Sequence, residues 1–383
     1  MIVIVASTSI ATVSALKTLV SPNSQAYGYF GDSVALSSGL VAVGAGETVS
    51  GKSDAGRVYV FVTKTGTLTQ TLVSPNSQAD GDFGHSVALS SGVVVVGAPG
   101  ETVSGSIQAG RAYVFNANTG ALTETLVSPN SQAYGGFGVS VALSSGLVVV
   151  GAPLETVSGN SYGRAYVFNT KTGALTQTLL SPNPQTGGLF GLSVALSGGV
   201  VAVGAPDTPV SGNSGAGCAY VFNANTGALT QTLLSPNSQA YGEFGLSVAL
   251  SSGLVAVGAF ETVSGSVWAG RAYVFNAKTG ALTETLVSPN SQADGYFGYS
   301  VALSSDVVVV GAYGETVSGS VWAGRAYVFN AKTGALTRTL VGPKREPSEF
   351  FGYSVALSGG VVAVGAPYSV VSGNSVAGRA YVF

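Results

Sequence analysis

Charge is what this sequence has least of. Asp, Glu, Lys and Arg make up 8% of its 383 residues, against roughly a quarter in an average soluble domain. The net charge is −2 and no run of like charges occurs. That excludes the basic footprint of a nucleic-acid-binding protein and any charged interaction tail. Cysteine occurs once, at Cys218, which rules out an internal disulfide and a cysteine-based metal site. Histidine also occurs once, at His85. The longest apolar runs, such as Val93–Val96 and Val307–Val310, are strand-sized. They fall far short of the roughly 18 residues a membrane helix needs, so no membrane insertion is expected. The apolar start Met1–Ala6 lacks a basic n-region and is short for a signal h-region of roughly 7–15 residues, so there is no clear signal peptide.

What is present is glycine, at 55 residues, and apolar side chains, at 46% of the chain. The polar surface must therefore come from Ser, Thr, Asn and Gln, and a weakly charged surface of that kind tends to associate. The dipeptide Phe-Gly recurs at residues 30, 83, 137, 190, 244, 297 and 351, every 53 or 54 residues. A period near 50 without helical patterning indicates propeller blades. Each repeat carries four strand signals, for example over residues 140–144, 147–152, 164–168 and 174–180, separated by Ser-Gly and Lys-Thr-Gly punctuation. The expected fold is all-β, a single seven-bladed β-propeller spanning residues 1–383 with four antiparallel strands per blade. The seventh repeat stops after its third strand, at Phe383. Ala15–Val20 matches the missing fourth strand, so residues 1–20 are expected to complete the last blade and close the ring.

Each repeat reads Phe-Gly-x-Ser-Val-Ala-Leu-Ser, then Gly-Ala-Pro or a variant, then Gly-Arg-Ala-Tyr-Val-Phe. This resembles the FG-GAP repeat of the integrin α-subunit head and of extracellular microbial proteins. The resemblance implies an extracellular or cell-surface propeller used for binding or adhesion. It also implies calcium in the hairpin between the first two strands, and here the sequence departs from the pattern. Those hairpins read Ser37-Ser38-Gly39 or Ser197-Gly198-Gly199, and Asp306 is the one carboxylate among them. Ca²⁺ requires roughly 6–8 oxygen ligands, so no metal and no cofactor is expected.

Chemistry-bearing residues are sparse. His85 follows Phe83-Gly84, with Asp80 and Asp82 before it and Asp32 in the equivalent slot one repeat earlier. Such a group can hold a metal or move protons, but a solvated polar turn is the better reading. A glycosidase would need a carboxylate pair near the central funnel, and the inner strands carry none. No catalytic residue is assigned. A Glu after the second strand and an Arg opening the third recur as Glu47/Arg57, Glu101/Arg111, Glu155/Arg164, Glu261/Arg271 and Glu315/Arg325. These read as cross-hairpin ion pairs, worth little if exposed. The recurrent tyrosines, such as Tyr59 and Tyr113, read as packing.

Two sets of residues are candidates for partner contact. Trp268 and Trp322 lie in the loops between the second and third strands of adjacent repeats, where an indole can stack on a sugar or anchor a protein. The slots flanking Phe-Gly diverge amid near-identity, and they include Tyr29, Asp32, His85, Tyr296, Tyr299, Phe350 and Tyr353. The function expected is non-enzymatic binding or adhesion outside the cell, with a protein or glycan partner. The alternative is a structural subunit that self-assembles or packs into a surface appendage, sheath or multiprotein complex.

Overall fold

The computed structural model describes residues 12–13, 15–157 and 159–383. The segment Met1–Ala6 and the first part of the expected closing segment lie outside the described residues. No helix in those residues is long and apolar enough to cross a membrane.

Seven four-stranded antiparallel blades form the propeller expected from the period. Blade one consists of Val34–Ser37, Leu40–Ala45, Arg57–Val62 and Leu68–Leu72, paired in that order from the channel outward. The next five repeat this order, and each third strand meets its fourth through a register shift that bends the outer edge. In blade seven, Arg379–Val382 pairs with Lys17–Leu19, whose register runs Lys17 with Val382 and Leu19 with Ala380. The N-terminal strand therefore closes the ring. One detail differs from expectation. Thr12–Val13 does not extend that strand but pairs in parallel with Leu336–Leu340, adding a fifth strand to blade six.

The core lies between blades and follows from the alternation in the third strand. Blade one presents the small face of Ala35, Ala42, Val58, Val60 and Leu72 to blade two, which answers with Phe83, Val94, Val96, Tyr113 and Phe115. Phe83 is buried, with its ring centroid 5.7 Å from Tyr113 and 5.9 Å from Phe115. Losing such a ring to alanine costs about 3–5 kcal/mol. Two glycines let neighbouring blades approach each other. A Cβ on Gly44 would stand 2.1 Å from the Gly84 carbonyl oxygen, and Gly84 itself holds φ at +100°.

The serine of Phe-Gly-x-Ser fixes this approach. Ser33 Oγ donates to the Gly84 carbonyl at 2.6 Å, and Ser86 donates to Gly138 at 2.8 Å. The series continues around the disc until Ser354 donates to Gly31 at 2.7 Å. The ring of inter-blade bonds thus closes on itself.

Candidate partner-binding face

The recurrent glutamates turn out to be buried, not exposed. Glu47 has no accessible surface and accepts from Tyr59 Oη at 2.6 Å, from Arg57 Nη1 at 2.8 Å and from Ser21 Oγ. Asn23 Nδ2 donates to the same Tyr59 oxygen at 2.9 Å. Ser21 and Asn23 belong to the linker entering the blade, so each cage ties a linker to the blade that follows it. Glu101, Glu261 and Glu315 repeat the arrangement with Arg111, Arg271 and Arg325, while Glu155 keeps the bond from Tyr166 but stands 3.8 Å from Arg164, which donates to Tyr166 Oη instead. Burial, reinforced by the bond to Glu47, pushes the Tyr59 hydroxyl up to about 12. The expected cross-hairpin pairs are present, and because their carboxylates are buried they are not weak: a caged carboxylate is costly to strip of its partners. The tyrosines do more than pack, because their hydroxyls complete the cage.

Above this framework the linkers and the second-to-third-strand loops share one face. Six of the slots before Phe-Gly (Tyr29, Asp82, Gly136, Glu243, Tyr296 and Phe350) donate their backbone N–H to the loop of the preceding blade. Tyr29 donates to Val376 at 3.0 Å, Asp82 to Asp54 at 2.9 Å, Tyr296 to Trp268 at 3.0 Å and Phe350 to Trp322 at 3.2 Å. The two candidate sets are therefore one surface.

On this face the rings touch in series. Trp268 stacks on Tyr296 at 6.3 Å, and Tyr296 stacks on Tyr313 at 5.0 Å with the planes 5° apart. Tyr313 meets Phe350 at 5.1 Å, Phe350 meets Tyr368 at 4.4 Å, and Tyr368 meets Tyr29 at 5.5 Å. Tyr299 and Tyr353, 4.8 Å apart, carry the cluster to the channel mouth, and Trp322 lies edge-on to Phe350 at 5.9 Å. Each indole remains 44% exposed, so neither has folded away onto its own blade. Phe260 joins at 5.1 Å from Tyr296.

The backbone beneath this shelf is unusual. Tyr29, Tyr296 and Phe350 hold φ at 47°, 51° and 56°, and Trp268 and Trp322 hold 51° and 54°. Bulky side chains avoid this left-handed region. Blade three has Gly136 at the same slot, with φ 66°. The slot is left-handed in the remaining blades too, at Asp82 (57°), Leu189 (55°) and Glu243 (48°), so the conformation belongs to the repeated framework and the aromatics are carried on it.

Asp32 and His85 stand at the channel mouth in blades one and two, beside the end of the shelf at Tyr29 and Tyr368. The mouth is ringed by the seven slots after Phe-Gly, with Val139, Leu192 and Leu246 making its aliphatic arc. Outward from Asp32 and His85, a cleft of about 560 Å³ is lined by Asp54, Asp80, Asp82, Gln108, Tyr29, Tyr134 and Tyr368. His85 Nδ1 lies 3.8 Å from Asp82 Oδ2. Burial pushes Asp32 up to about 6; the attraction of His85 opposes this and the charge of Asp82 adds to it. Burial likewise raises Asp82. Tyr29 and Tyr368 belong to both shelf and cleft, so the two are continuous.

The FG-GAP repeat model matches residues 14–61, 67–115, 122–168, 174–222, 228–275, 282–329 and 337–383. The chain belongs to the FG-GAP repeat family. A comparison with curated protein sequences finds no match. Among solved structures, this FG-GAP propeller is similar to the computationally designed Ika8 protein. The TM-score is 0.54 at 17% identity, over 97% of this chain and 100% of that one, a likeness of fold alone.

Within this FG-GAP propeller, the one carboxylate in a first hairpin, Asp306, is engaged by Lys332 at 2.8 Å. Among the described residues no group of three or more His, Cys, Asp or Glu side chains is placed to hold a metal. Three shelf residues went unrecognised in the sequence. Phe260 and Tyr313 read as drift of the Gly-Ala-Pro triplet, and Tyr368 as the residue after it. A signal was present for two of them: Tyr313 and Tyr368 stand in the blades whose Phe-Gly slots hold aromatics, whereas Phe260 stands in blade five, whose slots are Glu243 and Leu246.

Proposed function

We propose that this chain is a non-enzymatic binding propeller, working outside the cell or at its surface, that holds a protein or glycan partner on the aromatic face. The observation that carries this reading is the continuous contact from Trp268 to Tyr29, with both indoles still 44% exposed. Half-exposed aromatics clustered in this way are the usual energetic centre of an interface. Catalysis would need a proton donor and acceptor on opposite sides of a substrate. Asp32 is the one carboxylate in the ring of seven slots at the mouth, and Asp82 stands beside it in the neighbouring blade. Family membership favours an extracellular setting.

The test is retention of native partners. Immobilised chain, exposed to native extracellular material, should retain a partner that is lost on Trp268→Ala with Trp322→Ala. Retention unaffected by that pair of substitutions contradicts the reading.

A structural-subunit reading draws on a different observation. The outer strands expose Leu68, Leu122, Leu175, Leu229 and Leu282 around the circumference. The edge of blade six already accepts an added strand, Thr12–Val13. Self-association that rises with concentration and survives the tryptophan substitutions supports this second reading.

A further inference from the structure

We infer that the partner of the aromatic face is a carbohydrate chain without anionic groups, laid along the shelf with one end in the acidic cleft. The inference rests on the binding reading above and narrows it to one ligand chemistry.

The shelf supplies the first half of the argument. Its rings succeed one another at 4.4–6.3 Å from Trp268 through Tyr296, Tyr313, Phe350 and Tyr368 to Tyr29. These are the distances of rings packed on one another, so the shelf is one continuous aromatic surface. Pyranose rings present a face of C–H groups that stacks on an aromatic plane, while their hydroxyls stay in water. Tyr296 is stacked on both Trp268 and Tyr313, so the half-exposed indoles of Trp268 and Trp322 offer the stacking surface, and the tyrosine hydroxyls beside them offer hydrogen bonds. A protein partner is better served by a mixed aliphatic and aromatic patch with arginine anchors, and the shelf has no arginine in its ring contacts.

The cleft supplies the second half through charge. Asp32, Asp54, Asp80 and Asp82 line it, and His85 is the one side chain there that can carry positive charge; no lysine or arginine is among the lining residues described. Carboxylates accept hydrogen bonds from sugar hydroxyls and amines, and such bonds are about twice as strong as neutral ones. The same carboxylates repel uronates, sialic acids and sulfated sugars. The aromatic shelf thus provides affinity, and the cleft provides selection against anionic chains.

The chain's two tryptophans, Trp268 and Trp322, both lie on the shelf, so intrinsic fluorescence reports its occupancy without a label. Full-length chain is screened on a printed array of neutral, amino-bearing and anionic glycans. The best neutral or amino-bearing binder is then titrated by tryptophan emission, alongside an oligogalacturonate of equal length. We expect saturable emission change with the former and none with the latter. Tyr296→Gly should weaken binding at least tenfold; Gly136 shows that the fold accepts glycine at this slot. Asp32→Asn with Asp82→Asn should narrow the gap between neutral and anionic chains.

Three results overturn the inference: an array silent for neutral and amino-bearing glycans, equal binding of the oligogalacturonate, or glycan affinity unchanged by Tyr296→Gly. A silent array with a protein partner still lost on Trp268→Ala and Trp322→Ala removes the carbohydrate assignment and leaves the binding face intact. If neither ligand responds to the face substitutions, both readings fall.

Discussion

Tyr296 and Trp268 are joined twice. The backbone N–H of Tyr296 donates to the Trp268 carbonyl at 3.0 Å, and its ring stacks on the indole at 6.3 Å. Both residues hold φ at 51°. The hydrogen bond fixes a linker to the loop of the preceding blade, and equivalent bonds recur at Tyr29, Asp82, Gly136, Glu243 and Phe350. The ring contact is particular to the blades that carry aromatics. Framework and face can therefore be separated by substitution.

Replacing Tyr296 with glycine relieves a left-handed backbone, by about 1 kcal/mol, and removes ring contacts with Trp268, Tyr313 and Phe260, each worth about 0.5 kcal/mol, so the net change in stability should stay within about 1 kcal/mol. Urea midpoints for Tyr296→Gly and the parent should nearly coincide while binding falls. A loss of several kcal/mol would make Tyr296 a framework residue.

Blade seven rearranges the carboxylate cage. The serine that enters the cage elsewhere is Gly342 here, the glutamate is Ser369, and a linker glycine is Glu349. A Cβ on Gly342 would stand 2.1 Å from Glu349 Oε1, so the displaced carboxylate fills the space left by the missing serine. Glu349 has no accessible surface, while Arg379 pairs with Glu346 at 3.0 Å instead. Burial, then repulsion from Glu346, pushes Glu349 up to about 7 from its ordinary 4.5. The folded state thus holds this proton more tightly than the unfolded chain. The stability it confers is full below pH 4.5 and is lost as pH rises through about 7. Glu349→Gln should flatten the decline between these limits. At pH 8 it should raise stability by on the order of 2–4 kcal/mol relative to the parent. Parallel pH profiles for the two proteins would contradict this.

The intact cages should be strongly structural. Glu315→Ala leaves Arg325 and the hydroxyls of Ser288 and Tyr327 without their acceptor and should cost about 3–5 kcal/mol. Blade four shows a tolerated alternative: Thr208 and Cys218 replace the charged pair, and Cys218 Sγ bonds Tyr220 Oη at 3.0 Å. Glu101→Thr together with Arg111→Cys should therefore cost less than Glu101→Ala alone. Denaturant unfolding of the three variants gives the order directly.

Removing the closing strand should open the ring at one place. Leu19 is buried among Phe30, Val41, Ala363 and Val382, and Lys17–Leu19 covers the edge of Arg379–Val382. A chain beginning at Val20 leaves that edge unpaired, and an open edge recruits other strands. Light scattering should show association of the shortened chain at concentrations where the parent remains dispersed. A shortened chain that stays dispersed and keeps its melting temperature would contradict the closure.

The fold was legible because its determinants are local and repeated: Phe-Gly marks every blade, and the serine two residues on marks every inter-blade bond. The Glu–Arg pairing was legible too, but its burial was not. Ser21 and Asn23 reach Glu47 and Tyr59 from 26 and 36 residues away, across a linker whose course the sequence does not state. The strand Thr12–Val13 is two residues long, too short for any periodicity to register. The site was half legible. Divergence singled out Tyr29, Tyr296, Tyr299, Phe350 and Tyr353, and rarity singled out Trp268 and Trp322. That they form one surface depends on backbone bonds between successive blades, which no spacing reveals. Phe260 and Tyr313 stayed hidden because each looked like decay of a repeated triplet, and Tyr368 because it follows an intact one.

The central claim is that partners meet the aromatic face and not the circumference. Amide hydrogen exchange of the chain, alone and with its native partner bound, separates the two surfaces. Protection should concentrate in residues 260–268, 294–299, 313–322, 350–353 and 368, with the outer strands unchanged. Protection confined to outer strands such as Leu68–Leu72 and Leu229–Leu233, with the aromatic face still exchanging freely, would contradict the account.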